Sequence, residues 1–336
     1  MPDALNRAWT MASRPVGEPT TENFAIVESP IPSPKHGEVL IRTLYLSLDP
    51  YMRGRMRSGP SYSTVLEVGD VMTGEVVARV EQSESPLYKV GDTVRASIGW
   101  QEYAVVGAHV VRPVNPDLGP VSTAVGILGM PGLTAYFGLL GVLKPRAGDT
   151  LVVSAASGAV GAVVGQIGKI NGCFVIGIAG SDEKCQYTID ELGFDAAINY
   201  KTQDVSAELA RLSPTGVDCY FDNVGGPVTD AVWDNLALKA RVAICGQISQ
   251  YNAASTNQGP RQLATLIRTR ATVEGFLVYD FEIQHEIARA RIANWIIDGQ
   301  LKYKEDVVDG FDSAPEAFIG LLNGKNFGKL LIKVSD

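Results

Sequence analysis

The chain has 336 residues, of which 46% are hydrophobic and 20% charged, and its formal net charge is −8. That length exceeds one ordinary core and predicts two domains, and the composition is typical of a globular protein. The acidic balance without a long basic run argues against nucleic acid as a partner. Neither a signal-peptide pattern nor an apolar stretch of 18 residues occurs, so we expect a cytoplasmic protein without a membrane span.

The first 120 residues contain short segments rich in Val, Ile, Leu or Tyr, separated by turns with Pro or Gly. Such segments predict strands. They fall at residues 24–29, 38–47, 74–80, 93–97 and 102–106. Short strands at this spacing favour a compact barrel or sandwich.

The pattern changes near Pro120. Helices are predicted at 121–128 and 133–140, joined at residues 130–132. Strands are then predicted at 150–154, 174–179, 196–199, 217–221 and 241–245, and they alternate with helices at 159–170, 182–192, 205–212 and 228–236. This alternation predicts an α/β fold with a doubly wound parallel sheet.

A helix predicted at 287–297 ends the second domain, and the chain then returns to β-like character. Strands at 303–308 and 329–334 flank a helix at 314–322. We therefore predict a first domain of residues 1–122 that is completed by 301–336, and a second domain of residues 123–300.

One glycine-bearing turn, Gly158-Ala159-Val160-Gly161, joins a predicted strand to a predicted helix. Gly158 would take a turn conformation that a Cβ opposes, Gly161 would let the backbone approach a pyrophosphate, and Gly165 would let the helix pack against the sheet. The helix start then favours phosphate. Because three further strand–helix units follow, the turn predicts dinucleotide binding; a tight turn without a ligand is the alternative.

The end of the next strand indicates which dinucleotide is bound. Enzymes that use NAD usually place an acidic side chain there for the ribose 2′-hydroxyl. Here Gly180 leaves room, Ser181 can donate a hydrogen bond and Lys184 can meet a 2′-phosphate. Asp182 is compatible with NAD, but it can instead cap the next helix. The sequence therefore favours NADPH.

No set of metal ligands is evident. Of the histidines and cysteines, the predicted first domain contains only two histidines, His36 and His109. The four cysteines all lie later in the chain, and none forms a CxxC pair; they are Cys173, Cys185, Cys219 and Cys245. Zinc sites need closer ligands, so we expect no metal and interpret the cysteines as reduced core thiols. The chemistry is then expected to come from the nicotinamide.

Several longer strings resemble the zinc-free branch of the medium-chain dehydrogenase/reductase superfamily. Within it, the chain resembles the prostaglandin reductases, the alkenal double-bond reductases and the bacterial curcumin reductases. The resemblance covers essentially the whole chain. The strings are residues 12–19 (ASRPVGEP), 48–54 (LDPYMRG), 155–161, 180–184, 221–226 (FDNVGG), 245–252 (CGQISQYN) and 324–329 (GKNFGK).

The resemblance implies a GroES-like first domain, a Rossmann second domain, NADPH in the cleft between them and a homodimer. It implies that Gly158, Ala159, Val160 and Gly161 hold the pyrophosphate, and that Gly180 and Lys184 hold the 2′-phosphate end beside Tyr200. The remaining implied cofactor-binding residues are Asn223, Cys245, Gly246, Ile248, Tyr251, Phe276, Leu277, Val278 and Asn326. Pro50 and Tyr51 would face the substrate.

Two tyrosines are candidates for catalysis, Tyr251 and Tyr51. A tyrosine hydroxyl has a free pKa of about 10, so at pH 7 it can hydrogen-bond a carbonyl oxygen and supply a proton. Tyr251 lies in a polar loop after a strand, and Tyr51 lies in a Pro-flanked loop whose three arginines, at 53, 55 and 57, we expect to be solvated. The alternative for either tyrosine is a packed ring with an exposed hydroxyl.

Together these features predict NADPH-dependent reduction of the C=C bond of α,β-unsaturated ketones and aldehydes. Hydride would reach the β-carbon, and a proton would reach the α-carbon from Tyr251, a ribose hydroxyl or water. A quinone reductase of the same superfamily and a non-catalytic NADPH-binding protein are the alternatives.

Overall fold

The structure is a computed structural model that describes residues 5–255 and 258–336. These residues divide into two units. Unit 1 is the chain up to Gly126 together with Glu305–Asn326 and Leu330–Asp336, and unit 2 is Ile127–Lys304 together with Phe327–Lys329. The chain therefore leaves unit 1, forms most of unit 2 and returns.

The strands of the described chain are β1 (Leu5–Met11), β2 (Phe24–Pro30), β3 (Glu38–Ser47), β4 (Val76–Ser83), β5 (Thr93–Ala96), β6 (Tyr103–Gly107), β7 (Arg112–Pro113), β8 (Thr150–Ser154), β9 (Phe174–Ala179), β10 (Ala196–Asn199), β11 (Val217–Asp222), β12 (Leu236–Ile244), β13 (Thr272–Gly275), β14 (Glu305–Asp309) and β15 (Lys329–Lys333). The α-helices are α1 (Tyr51–Arg55), α2 (Met130–Phe137), α3 (Gly161–Ile170), α4 (Asp182–Asp190), α5 (Val205–Leu212), α6 (Gly226–Asp234), α7 (Leu263–Thr269), α8 (His285–Ile297) and α9 (Ala314–Leu322).

Unit 1 is built on a mixed sheet with the strand order β14-β15-β3-β4-β5-β7, to which β6 adds by pairing with β3. The pairs from β15 to β7 are antiparallel. Its core centres on the fully buried Trp100. The Trp100 ring stacks on Phe24 at 5.7 Å between centroids and meets Phe318 of α9 edge-on at 5.5 Å. The returning segment thus supplies both strands and core side chains to the first sheet.

Unit 2 is built on a parallel sheet with the strand order β10-β9-β8-β11-β12-β13. Counted from β8, this is the order 3-2-1-4-5-6 of the dinucleotide-binding fold, with its switch point between β8 and β11. All five residues of β8 are buried, as expected for a strand covered by helices on both faces. The predicted doubly wound α/β fold is confirmed.

Helix α3 packs closely because three of its positions lack side chains. A Cβ on Gly168 would lie 2.5 Å from Leu151 of β8, and a Cβ on Gly165 would lie 1.9 Å from the Phe194 ring. Gly165 therefore serves the packing of α3 against the loop before β10, while Gly168 provides the contact with the sheet. The expectation that Gly165 allows packing against the sheet is wrong, because its neighbour is the Phe194 ring and Gly168 makes the contact with the sheet.

Several predicted elements differ from the structure. The helix expected at 121–128 is a short 3₁₀ turn at Val121–Val125, and residues 130–132 open α2. A Cβ on Gly132 would lie 1.7 Å from the Ile127 carbonyl oxygen, so the chain turns sharply there before the helix begins. Strand β13 and helix α7 were not predicted, because β13 is short and its exposed positions carry polar residues.

None of the helices in the described part of the chain is both long enough and apolar enough to cross a membrane.

Replacing Gly165 by alanine tests the packing of α3. The added methyl group overlaps the Phe194 ring, and such overpacking typically costs about 1–3 kcal/mol. We expect a lower urea midpoint with an unchanged m-value. Gly275→Ala is the matched control, because a Cβ there meets nothing within 4 Å, and it should leave the midpoint nearly unchanged. Equal midpoints for wild type and Gly165→Ala would contradict the packing argument.

Candidate functional site

The turn between β8 and α3 is closed by its own backbone. Gly158 donates a backbone hydrogen bond to the Ala155 carbonyl at 3.0 Å, and a Cβ on Gly161 would lie 2.3 Å from that same oxygen. Position 161 therefore admits only glycine without a shift of the backbone. The residue with positive φ is Ala155, at 51°, whereas we had expected the unusual conformation at Gly158. A Cβ on Gly158 would still be tight, at 3.2 Å from the Ala155 carbonyl oxygen.

The helix that follows β9, α4, is capped at its N-terminus by a side chain. Ser181 is the N-cap of α4, and its hydroxyl oxygen accepts a hydrogen bond from the Lys184 amide at 3.2 Å. The expectation that Asp182 caps this helix is wrong, because its carboxylate accepts a hydrogen bond from the Asn199 amide group at 2.7 Å. The side-chain hydrogen of the Ser181 hydroxyl is not needed for the cap, so this group can still donate.

Gly180 and Tyr200 are brought together as the resemblance implied. A Cβ on Gly180 would lie 3.1 Å from the Tyr200 hydroxyl oxygen, so the ring covers the glycine backbone. The Tyr200 amide donates to the Ala179 carbonyl at 3.1 Å, which holds this residue at the end of β10 beside β9. Lys184 lies one turn into α4, and its ammonium faces the Phe327 ring at 6.0 Å.

The centre of the site is Asp222, the last residue of β11, whose side chain is fully buried. Its carboxylate accepts hydrogen bonds from three hydroxyl groups and two backbone amides. The donors are Tyr220 at 2.9 Å, Thr229 at 2.7 Å, Ser154 at 3.3 Å, and the amides of Val224 and Gly225 at 2.9 Å each. These donors come from β8, β11 and α6, so one buried charge joins the carboxyl ends of two strands to the following helix.

Asn223 extends this connection across the switch point. Its side-chain amide donates to the Ser154 carbonyl at 2.8 Å, and its backbone amide donates to the Ser154 hydroxyl at 2.9 Å. Asn223 therefore stands directly beside the end of β8, from which the glycine turn departs.

The loop after β12 is fastened to the loop after β11. The amides of Cys245 and Gly246 both donate to the Asp222 carbonyl, at 2.9 and 3.0 Å, and the Ser249 amide donates to the Val224 carbonyl at 3.0 Å. The Tyr251 hydroxyl oxygen in turn accepts a hydrogen bond from the Gln247 amide at 3.3 Å. Tyr251 is thus folded back over its own loop, with its hydroxyl near Gly246.

Residues after β13 complete this edge of the sheet. Phe276 packs edge-on against Phe221 at 6.1 Å between centroids, and Val278 is buried. All six parallel strands consequently end at residues that we predicted to contact the cofactor. Those residues are Gly158 to Gly161 after β8, Gly180 and Lys184 after β9, Tyr200 after β10, Asn223 after β11, Cys245, Gly246, Ile248 and Tyr251 after β12, and Phe276, Leu277 and Val278 after β13.

This edge fits a dinucleotide on structural grounds. Ligands of open α/β sheets bind outside the carboxyl ends of the strands at the switch point, which here is where the glycine turn lies. Glycine at position 161 lets the turn close against the Ala155 carbonyl at the start of α3, and the amides at a helix start favour phosphate. Cofactor contacts by the individual residues stay a prediction.

Tyr51, Pro50 and Asn326 belong to unit 1, and their roles also stay predictions. Tyr51 opens helix α1, so the expectation of a loop there is wrong. The expectation of solvated arginines is wrong for two of the three: Arg53 is 1% exposed and Arg55 is 7% exposed. Arg53 donates to the Gly17 carbonyl at 2.7 Å, and burial lowers the pKa of Arg53 to about 10, with nearby Arg57 contributing, so it stays protonated at pH 7.

Arg55 is surrounded by aromatic rings. Its guanidinium carbon lies 5.6 Å from the Tyr51 ring centroid and 4.6 Å from that of Tyr62. Distances in this range are typical of cation–π contacts. Tyr51 is therefore held by a buried cation on its own helix.

The cysteines are not paired with one another, and Cys173, Cys185 and Cys219 are buried. Burial raises the pKa of Cys245 to about 12, with the Asp222 charge as a second cause. Cys245 therefore stays a neutral thiol at pH 7 and is not a nucleophile. In the part of the chain that the structure describes, no three His, Cys, Asp or Glu side chains are grouped to hold a metal. The expectation of no metal stays a prediction.

Sequence reasoning missed Asp222 and the segment Phe327–Lys329 as parts of the site. Asp222 stands in the string FDNVGG that carries the resemblance, but only the structure shows that its carboxylate collects five donors. Gly328 forms a parallel bridge with Gly158, far from it along the chain. The string GKNFGK at 324–329 was a signal in the sequence, but it does not indicate that Gly328 pairs with Gly158.

Replacing Asp222 by alanine should destabilise the protein by about 3 kcal/mol or more, because it leaves several buried donors unsatisfied. Thr229→Val removes a single donor and should cost about 1 kcal/mol. Urea unfolding followed by tryptophan fluorescence measures both. A loss for Asp222→Ala no larger than that for Thr229→Val would show that the carboxylate does not organise these loops.

Two family models match the chain. Residues 7–114 match the N-terminal domain of oxidoreductase, and residues 159–293 match the zinc-binding dehydrogenase domain. The second description belongs to the domain family as a whole, and it identifies no ligand in this chain.

Individual relatives match over nearly the full length. The chain is 46% identical over 342 residues to the NADPH-dependent curcumin reductase of Escherichia coli (strain K12), covering 98% of this chain and 97% of the relative. It is 41% identical to prostaglandin reductase 1 of Rattus norvegicus, with 97% and 98% covered. It is 45% identical to the NADP(+)-dependent 2-alkenal reductase of Nicotiana tabacum, with 89% and 88% covered.

Among solved structures, CurA from Vibrio vulnificus in complex with NADPH superposes with a TM-score of 0.93 at 47% identity, covering 98% of this chain and 99% of that chain. The match covers both units. The chain belongs to the medium-chain dehydrogenase/reductase family, in the group of the curcumin, prostaglandin and 2-alkenal reductases.

Proposed function

We propose that the protein reduces the C=C bond of α,β-unsaturated ketones and aldehydes with NADPH. The observation that carries the proposal is the carboxyl edge of the parallel sheet, where six consecutive strands end at residues suited to one extended dinucleotide. The relatives named for NADPH and for alkenal, prostaglandin and curcumin reduction support the same activity.

The cofactor, when bound, supplies the hydride, which goes to the β-carbon of the substrate. The protein must then stabilise the negative charge that develops on the carbonyl oxygen. Preorganised hydrogen-bond donors are the usual means, and they act without reorganisation because the fold already holds them. A proton added at the α-carbon completes the saturated product.

Tyr251 is our first candidate for that donor. Its hydroxyl oxygen is held by the Gln247 amide, and its loop is fixed through the Asp222 and Val224 carbonyls. A phenolic hydroxyl whose position is fixed in this way is the kind of preorganised group that stabilises an oxyanion. Tyr51 is our second candidate, and we propose that with Pro50 it contacts the substrate, its ring held by Arg55.

We also propose that the first domain consists of residues 1–122 completed by 301–336, and the second of residues 123–300. We propose further that the protein works in the cytoplasm.

We propose that the protein is a homodimer. Support for the dimer comes from large apolar side chains that unit 2 exposes. They are Leu238, Leu263, Ile267, Ile283 and Ile287, with exposed fractions from 59% to 99%. Strand β13 at the edge of the sheet adds unpaired backbone groups to this unit, a common site of association.

The reaction is tested with deuteride-labelled NADPH and a simple enone. We expect the label at the β-carbon of a saturated ketone, because a hydrogen-bonded carbonyl oxygen accepts the charge as an enolate. Mass spectrometry and NMR of the product locate the deuterium. An allylic alcohol as the main product would overturn the assignment, and turnover of quinones without turnover of enones would favour a quinone reductase.

Tyr251→Phe removes the proposed oxyanion donor and keeps the ring. Loss of one such donor costs up to about 2.7–4 kcal/mol of transition-state stabilisation, so kcat should fall roughly a hundredfold or more. Tyr103→Phe, on β6, is the control and should leave kcat unchanged. Steady-state kinetics with circular dichroism separate a catalytic loss from unfolding. Equal kcat values for Tyr251→Phe and wild type would exclude Tyr251 as the donor.

A further inference from the structure

The segment Phe327–Lys329 is the only part of the returning chain that the described structure groups with unit 2. It lies beside the glycine turn, because Gly328 forms a parallel bridge with Gly158. It also runs beside Lys304, since the Lys329 amide donates to the Lys304 carbonyl at 2.9 Å. A Cβ on Gly328 would lie 2.2 Å from that carbonyl oxygen, so only glycine permits this approach.

The Phe327 ring, next to Gly328 in the chain, lies against α4. On the side of α4 it meets Tyr187 edge-on, at 4.8 Å between centroids and an angle of 78°. The Lys184 ammonium lies 6.0 Å from its centroid. The ring therefore contacts both the helix that begins after Gly180 and the residue for which we propose a 2′-phosphate contact.

A second ammonium lies on the same ring. The nitrogen of Lys304 is 3.8 Å from the Phe327 centroid and 5.5 Å from that of Tyr187. Both ammonium groups are consequently within about 10 Å of each other, which is one Debye length at 0.1 M salt. Two cations held at this distance repel, and an anion that both of them reach relieves that repulsion.

Lys304 differs from the nearby Lys302 in what its ammonium group contacts. The Lys302 ammonium pairs with the Glu191 carboxylate at 3.0 Å. In the described chain the Lys304 side chain instead contacts the faces of two aromatic rings, and its residue is exposed. Its charge is thus held in place without being neutralised by an acidic side chain, which leaves it available to an external anion.

We propose that Lys304, held on the Phe327 ring beside Lys184, is a second cation for the 2′-phosphate of NADPH and so a determinant of cofactor specificity. This inference rests on the proposed function, because it assumes the cofactor at the carboxyl edge of the sheet. Phe327 acts as a positioning residue: its ring fixes the ammonium of Lys304 and limits where that of Lys184 can go. Specificity for the phosphate would then come from two places in the chain rather than from α4 alone.

Direct binding tests this without any enone. Dissociation constants for NADPH, NADH, adenosine 2′,5′-bisphosphate and 5′-AMP are measured by calorimetry for the full-length protein. Lys304→Ala should weaken NADPH and the bisphosphate about five- to tenfold and leave NADH and 5′-AMP within about twofold, because only the first pair carries the 2′-phosphate. Lys304→Arg should restore most of the loss. Phe327→Leu should weaken the same pair of ligands and spare the other.

Lys302→Ala is the matched control, since it removes the same charge two residues away from a side chain already paired with a carboxylate. It should change no dissociation constant by more than about twofold. An equal loss for Lys302→Ala and Lys304→Ala would overturn the proposal in favour of a general charge effect. Equal losses of NADPH and NADH on Lys304→Ala would overturn it in favour of a purely structural role.

Lys184→Ala separates this inference from the proposed function. If Lys184→Ala selectively weakens NADPH while Lys304→Ala changes nothing, the cofactor assignment stands and the role of Lys304 is wrong. If wild type binds NADPH no better than NADH, the assignment of NADPH and this inference fail together.

Discussion

The hydrogen bonds to the buried Asp222 carboxylate hold the functional edge of unit 2 together. At a switch point the chains leaving two adjacent parallel strands diverge, so their backbone amides lose the partners that the sheet supplied. Asp222 gathers these amides and three hydroxyl groups onto one side chain. A buried charge is costly to desolvate, and here five donors offset that cost. The loops therefore have a defined conformation before any ligand arrives.

The defined conformation of these loops in turn positions the residues that would perform the chemistry. Backbone hydrogen bonds fasten the loop after β12 to the loop after β11, and Tyr251 then folds over its own loop to accept a hydrogen bond from the Gln247 amide. On the other side of the switch point, the Ala155 carbonyl leaves no room for a side chain at Gly161. Backbone groups thus fix the conformation on both sides of the switch point. Atoms held by backbone contacts change position less than atoms held only by flexible side chains.

Sequence patterns were sufficient where the physical cause is local. The bounds of β8 and β9 were predicted because buried parallel strands are continuous apolar runs between turns that contain glycine. The burial of Arg53 could not be predicted, because it depends on the Gly17 carbonyl, distant along the chain. The choice between Ser181 and Asp182 as helix cap was equally beyond local rules: both residue types cap helices well, and the competing bond from Asn199 decided it.

The segment around Gly328 shows how a distant part of the chain can take part in a local function. Its glycine is required both by its own positive φ and by the Lys304 carbonyl that lies beside it. Once that contact forms, Phe327 has little freedom, because its ring is bounded by Tyr187 and by two ammonium groups. A structural constraint on one glycine thereby sets the position of two charges. Under our proposal for Lys304, cofactor recognition and the return of the chain to unit 2 depend on the same contact.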